Sequence, residues 1–184
     1  LLTLETIVQV IEIAFYIWIT RSMMTAEKVT PRRYIDWAIT TPTMLFTTLV
    51  YLDYIAKKEQ GVDTKMNLQS FYNEHKSDVR KIFVYNWLML LFGFLGEIGT
   101  LPLKLSVSIG FVFFALTFKI VYKYGKQTKK GKTFSKYFTF LWGLYGVAAV
   151  LPLAEKNISY NTLDIFSKNF YGIYLLMELQ KVRQ

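Results

Sequence analysis

Six apolar stretches, roughly 2–20, 33–52, 82–99, 102–122, 136–153 and 157–179, divide this 184-residue chain. Each is long enough to cross ~30 Å of hydrocarbon at 1.5 Å of rise per residue. A backbone inside lipid must satisfy its own hydrogen bonds, so stretches of this length predict membrane-spanning α-helices. Turn or charge signals separate them at Pro31, at Gly99 to Pro102, at Gly125 to Gly131 and at Pro152 to Asn157, and the polar stretch 53–81 reads as the one sizeable loop. With 53% hydrophobic and 17% aromatic residues beside 22 Lys and Arg, the composition suits a polytopic membrane protein and not an ordinary soluble domain. The absence of Cys excludes disulfides and thiolate metal sites, and no metal centre is expected. The net charge of +9 reads as charge on connecting loops, because no basic cluster is interleaved with stacking aromatics outside the apolar stretches. Nucleic acid is therefore not an expected partner. His75, the lone histidine, falls in 53–81 and reads as solvated. The first stretch lacks the basic leader and small-residue cleavage site of a signal peptide, and no internal repeat is visible.

Lys and Arg crowd one side of the predicted membrane. The stretches 53–81 and 123–136 and the tail 180–184 hold fourteen of them, from Lys57 to Lys65, Lys81, Lys136, Lys181 and Arg183, against six on the other side: Arg21, Lys28, Arg32, Arg33, Lys104 and Lys156. By the excess of positive charge the first side is expected to be cytoplasmic. Leu1 is expected there too, since six spans return the chain to its starting side.

An ammonium in hydrocarbon costs at least ~3 kcal/mol, which makes an intramembrane lysine a functional candidate. Lys104 and Lys119 lie within a turn of the ends of their spans and can snorkel outward. Lys168 is mid-span, between Leu163 and Leu179, with Asp164 at i−4 and Asn161 at i−7 on its face of the helix. A structural Asp164–Lys168 ion pair is the bland alternative. Another buried carboxylate, Asp36, sits in Arg33-Tyr34-Ile35-Asp36-Trp37-Ala38-Ile39-Thr40-Thr41-Pro42, and Asp36, Thr40 and Thr47 share one stripe of that span. In the first span Glu5, Gln9, Glu12 and Tyr16 recur at i, i+4, i+7 and i+11. A stripe with two carboxylates is too costly to face lipid, so it must face protein or water.

The segment 33–42, taken with Asp164-Ile-Phe-Ser-Lys168-Asn-Phe-Tyr-Gly172, resembles the third and seventh helices of microbial rhodopsins, most closely those of giant algal viruses. The resemblance implies an all-α membrane protein, a seven-transmembrane-helix retinal-binding bundle forming a single domain over 1–184. The six spans here match the family's second to seventh helices, and the first is expected to be missing from the N-terminus; a true six-helix protein is the alternative. It further implies retinal, all-trans in the dark, joined to Lys168 as a protonated Schiff base, with Asp36 and Asp164 as counter-ions and Arg33 balancing the second negative charge. One carboxylate at ~4 Å and an effective dielectric of ~20 supplies about 4 kcal/mol, so two suffice to hold the proton. By the same resemblance Trp37, Thr41 and Met44 belong to the retinal pocket, and Asn86, Met89 and Gly93 match residues at its ring end. Trp142-Gly-Leu-Tyr145 resembles the family's Trp-x-x-Tyr-Pro, with Gly146 where the proline that kinks the helix would stand.

Two features bear on activity. Thr47 occupies the position where the family's proton pumps keep a carboxylic acid that reprotonates the Schiff base from inside, which a hydroxyl does not do at useful pH. A glutamate-lined second helix resembles the cation path of channelrhodopsins, and Asn169 is a candidate to close a cytoplasmic constriction with Glu5 or Glu12. The expected function is a light-gated cation channel and not an enzyme, with Glu5, Gln9, Glu12, Tyr16, Thr40, Thr47, Asn161 and Asn169 along the ion path. A light-driven outward proton pump and a sensory photoreceptor are the alternatives. The expected partners are the lipid bilayer, monovalent and divalent cations or protons, and further copies of the chain. The expected location is multi-pass in a membrane, that of the host cell for a viral protein, with 53–81, 123–136 and the C-terminus cytoplasmic.

Overall fold

The computed structural model describes residues 1–22, 25–62 and 67–183, the side chains of residues 26 and 181–183 excepted. Lys65, counted above among the positive charges of one side, lies outside the described residues, as do the side chains of Lys181 and Arg183. Among the described residues the fold is all-helical: α1 (Leu2–Arg21), α2 (Ala26–Glu59), α3 (Leu68–Glu97), α4 (Leu103–Gly125), α5 (Lys129–Ala148), α6 (Leu153–Asp164), a π-helical segment (Ile165–Phe170) and α7 (Tyr171–Arg183). The residues flanking the π segment keep right-handed helical angles, so α6, the π segment and α7 run on as one rod. Six rods thus occupy the six expected spans. By length and composition α1, α3 and α4 are apolar enough to cross a membrane. The other rods carry charges inside their apolar lengths, Arg33 and Asp36 in α2 and Lys168 in the last, or begin on a lysine run, as α5 does at Lys129.

The bundle is apolar outside and keeps its intramembrane charges within. Ile7, Val10, Ile13 and Ile17 are exposed on one side of α1 while Glu5 and Glu12 are buried on the other, and Ile35, Ile39, Trp87, Val112, Phe140 and Ile173 continue the exposed apolar belt around the other rods. That inversion of the soluble pattern is what a hydrocarbon surrounding demands, since exposed apolar side chains lose nothing there and exposed charges lose much.

The helices outrun the apolar stretches. The stretch 53–81, expected as a loop, is helical through Glu59 and again from Leu68, and between α4 and α5 only residues 126–128 lie outside helix. Hydropathy marks where lipid ends, whereas a helix continues into water as long as its polar groups find partners. Lys57 pairs with Asp53 and Glu74 at 2.9 Å each, Lys123 pairs with Asp78 at 2.6 Å, and the Asn67 side chain accepts the N–H groups of Gln69 and Ser70 at the start of α3. His75, expected to be solvated, is half-buried between the rings of Phe71 and Tyr124, at 4.6 and 5.3 Å between centroids, where α3 kinks. Pro31, read as a turn signal, lies inside α2. So does Pro42, which has no N–H to give the Ala38 carbonyl; the Trp87 indole N–H of α3 donates to that carbonyl at 3.0 Å instead.

The buried apolar side chains form two clusters. The larger, around Met44, Leu45, Leu49, Phe118, Phe138, Trp142 and Tyr171, fills the half of the bundle toward the α4–α5 connection. The smaller, around Trp37, Ala148, Tyr160 and Leu163, fills the other half. Between them lies the level of Lys168.

Candidate functional site

Lys168 projects from the π segment into the bundle and is 2% exposed. A π turn leaves carbonyls of the rod without their usual partners and recurs at functional sites; here the Gln9 side-chain amide of α1 donates to the Lys168 carbonyl at 3.2 Å. The Lys168 Nζ lies 2.5 Å from Asp36 Oδ2, 3.6 Å from Asp164 Oδ1 and 3.9 Å from Glu12 Oε1. Three helices therefore bring three carboxylates to one ammonium. Asp36 and Asp164 were expected there. Glu12 was expected along the ion path and as a partner for Asn169, and its closeness to Lys168 was missed; the shared stripe with Gln9 and Tyr16 was the signal that could have found it.

The two aspartates are held differently. Asp164 accepts hydrogen bonds from the hydroxyls of Tyr16 and Tyr145, both at 2.8 Å, and faces Arg33 Nη1 at 3.4 Å. Asp36 has Lys168, and its Oδ1 is buried with no hydrogen-bond partner among the described residues. Arg33, 1% exposed, also donates to the Tyr16 hydroxyl at 3.2 Å and, through Nη2, to Asn161 Oδ1. Asn161 is itself exposed, so this end of the polar chain reaches the bundle surface.

At the other end, Thr47 Oγ1 donates to Glu5 Oε1 at 2.5 Å, and the Tyr171 hydroxyl bridges Thr48 at 2.7 Å and Thr47 at 3.3 Å. Tyr171 and Thr48 were not anticipated, although Tyr171 follows Lys168 at i+3 on the same face. The Thr40 hydroxyl is spent on the Asp36 carbonyl of its own helix at 2.9 Å. Asn169 is half-buried and makes no hydrogen bond to Glu5 or Glu12 among the described residues. Asn169 is therefore not joined to α1's carboxylates; Glu5 meets Thr47 of α2 instead, with the Tyr171 hydroxyl beside it.

Lys168 also opens onto a mainly apolar cavity between the two core clusters. Trp37, Thr41, Met44, Met89, Gly93, Trp142 and Tyr145, all expected to line a pocket, line it, and Tyr34, Phe111, Phe114, Gly146 and Tyr160 join them. Asn86 stands behind that wall, donating to Thr41 Oγ1 at 2.8 Å. Two glycines shape the cavity: a Cβ at Gly93 would come within 2.8 Å of the Tyr34 hydroxyl, and one at Gly146 within 2.4 Å of the Phe111 ring. α5 passes through Gly146 as unbroken helix, so the glycine serves close packing on α4 and no kink is made. No cluster of His, Cys, Asp and Glu able to hold a metal ion occurs among the described residues.

Comparison with known proteins bears on the family and the fold. A family model described as bacteriorhodopsin-like protein matches residues 1–182. The crystal structure of viral rhodopsin OLPVRII is similar with a TM-score of 0.83 and 30% sequence identity, over 98% of this chain and 81% of that one. No curated protein matches. With a family match along nearly its whole length and the fold to go with it, the chain belongs to the bacteriorhodopsin-like family, as a microbial rhodopsin related to the viral rhodopsins.

Proposed function

We propose that this rhodopsin is a light-gated cation channel whose path runs along the inward face of α1, with Lys168 carrying the chromophore. The family comprises membrane proteins of light-driven ion transport or sensing, and retinal is generally their chromophore. The residues present fit such a group: an aromatic, mainly apolar cavity ends at a buried primary amine, and two glycines keep its walls open where a Cβ would fill them. Joined to Lys168 as a Schiff base, all-trans in the dark, retinal would supply absorption of visible light and an isomerisation that moves the positive charge at the lysine nitrogen.

The remaining work falls to the chain's own residues. Asp36 is the main counter-ion, because it is the nearest carboxylate and has no other donor competing for it. Asp164 is the second, fixed in orientation by Tyr16 and Tyr145 and offset by Arg33. The observation that carries the channel reading is the set of contacts made by one face of α1: Glu5 to Thr47, Gln9 to the Lys168 carbonyl, Glu12 to Lys168 Nζ and Tyr16 to Asp164. These polar groups form a column from Glu5 to the exposed Asn161, and its carboxylates favour cations. When the charge at Lys168 moves, its ion pairs to α1, α2 and α6 weaken together. The column then hydrates once the Glu5–Thr47 and Arg33–Asn161 contacts open. By the excess of Lys and Arg, the end bearing the α4–α5 connection is the cytoplasmic one.

One contact favours outward proton pumping as the second reading. Glu5 reaches across from α1 to hydrogen-bond Thr47, and so supplies a carboxyl at the position where Thr47 itself cannot act as inner proton donor. Photocurrent recorded against membrane voltage under a sodium gradient separates the two. A channel current changes sign at a reversal potential that follows the gradient; a current of one direction at every voltage would overturn the channel reading in favour of the pump.

A further inference from the structure

At the end of the bundle opposite the α4–α5 connection, the Lys156 ammonium of α6 donates to both oxygens of Glu97, the last residue of α3, at 3.2 and 3.1 Å. Both side chains are only 8% exposed. α3 and α6 are not neighbours in the bundle: no Cα pair between them lies within 8 Å among the described residues. The ion pair therefore spans a gap that the backbone leaves open.

The gap lies over the cavity. Glu97 is one helical turn beyond Gly93 on α3, and Lys156 one turn before Tyr160 on α6, so each partner stands four positions from a cavity-lining residue on the same face. Beneath the pair, Tyr34 packs on Phe94 at 5.7 Å and Trp37 on Tyr160 at 5.0 Å between ring centroids. A buried ion pair is a poor source of stability, because the cost of desolvating both ions consumes most of their attraction, but loss of one partner leaves a buried charge that draws in water. Such a contact holds a closed arrangement only while both partners are present.

We propose that Glu97 and Lys156 form a latch that closes this mouth of the chromophore cavity and governs the access of water and small polar molecules to Lys168. The proposal rests on the reading of the cavity as the retinal site. The probe is hydroxylamine in the dark, a small neutral nucleophile that displaces retinal from Lys168 as its oxime and returns the free amine. Glu97→Gln and Lys156→Met should each lose the visible band at least about tenfold faster than wild type, and the double exchange of Glu97→Lys with Lys156→Glu should restore slow loss. Single variants that bleach at the wild-type rate would overturn the latch. A second measurement needs no chromophore. The chain has no Cys, so spin labels on Ile98→Cys and Glu155→Cys, both exposed, report the α3–α6 separation directly. The distance distribution of the retinal-free protein should broaden and lengthen when Glu97→Gln is added, and an unchanged distribution would overturn the proposal. Wild type that stays colourless with retinal would instead refute the cavity reading, and the label distances would still decide the latch.

Discussion

Replacing Asp36 by Asn removes the shortest ion pair in the protein's interior without changing the size of the side chain. At an effective dielectric of ~20, a unit charge at Lys168 Nζ gains about 7 kcal/mol from Asp36 at 2.5 Å, about 5 from Asp164 at 3.6 Å and about 4 from Glu12 at 3.9 Å. Arg33, 3.4 Å from Asp164, repels the same charge from farther away and so offsets part of the Asp164 contribution. Asp36 thus carries the largest uncompensated share, equivalent to about 5 pH units if nothing moved. Glu12 has an unpartnered buried oxygen and is free to swing toward the nitrogen, recovering part of it. The expected net effect is a shift of about 2 to 4 units toward lower pH in the point at which the visible band gives way to a near-ultraviolet one. The sign follows from the loss of a negative charge that favours the protonated nitrogen. The assay is a spectral titration of purified wild type and Asp36→Asn reconstituted with retinal, with Asp164→Asn as the comparison expected to shift less. A visible band in Asp36→Asn that stays in place from about pH 5 to pH 9, as in wild type, would transfer the main counter-ion role to Asp164 and refute the reasoning from distance.

Lys168→Ala protein should purify colourless with retinal present; a visible band that borohydride traps on another lysine would sink the attachment site. Glu12→Gln should change both the reversal potential of the photocurrent and the position of the visible band, since the carboxyl faces the path and lies 3.9 Å from Lys168 Nζ. Glu5→Gln, farther along the column and bonded to Thr47, should leave the band in place while altering current decay, and a spectrum shifted as far as that of Glu12→Gln would contradict this division of roles. Gly93→Leu should abolish pigment formation by filling the cavity against Tyr34, which the absence of absorbance on adding retinal would register. At the α4–α5 turn, a Cβ on Gly125 would fall 1.8 Å from Ser135 Oγ and 2.8 Å from the Gly131 carbonyl oxygen. Gly125→Ala should therefore destabilise the protein by about 1–3 kcal/mol, read as a lower midpoint of thermal bleaching, and an unchanged midpoint would mean that the turn relaxes freely.

Several features were legible in the chain because each depends on residues close together in sequence. The six helical rods follow from the apolar stretches, each longer than the roughly 9–11 residues of a barrel strand. The inward stripe of α1 follows from helical period and the cost of a carboxylate in lipid, and Glu5 and Glu12 are indeed buried. Lys168 stood out as the one lysine that no span end could rescue, and the pocket residues from Trp37 to Tyr145 were matched through local motifs. The helix ends were not legible, because Lys57, Glu74, Asp78 and Lys123 find partners on other helices that hydropathy does not register.

What tertiary structure alone decided is how the charges are shared. Periodicity put Asp36, Asp164, Glu12 and Arg33 on inward faces, but the azimuth and height of one helix against another fix the distances between them, and Coulomb energy changes steeply with those distances. Hence the sequence carries two counter-ion candidates, whereas the packing makes Asp36 the nearest and leaves Asp164 to the tyrosines and Arg33. The same packing joins Glu5 to Thr47 across 42 residues and Glu97 to Lys156 across 59. Neither pairing has a local signature, because a side chain's partner on another helix depends on the docking of whole rods.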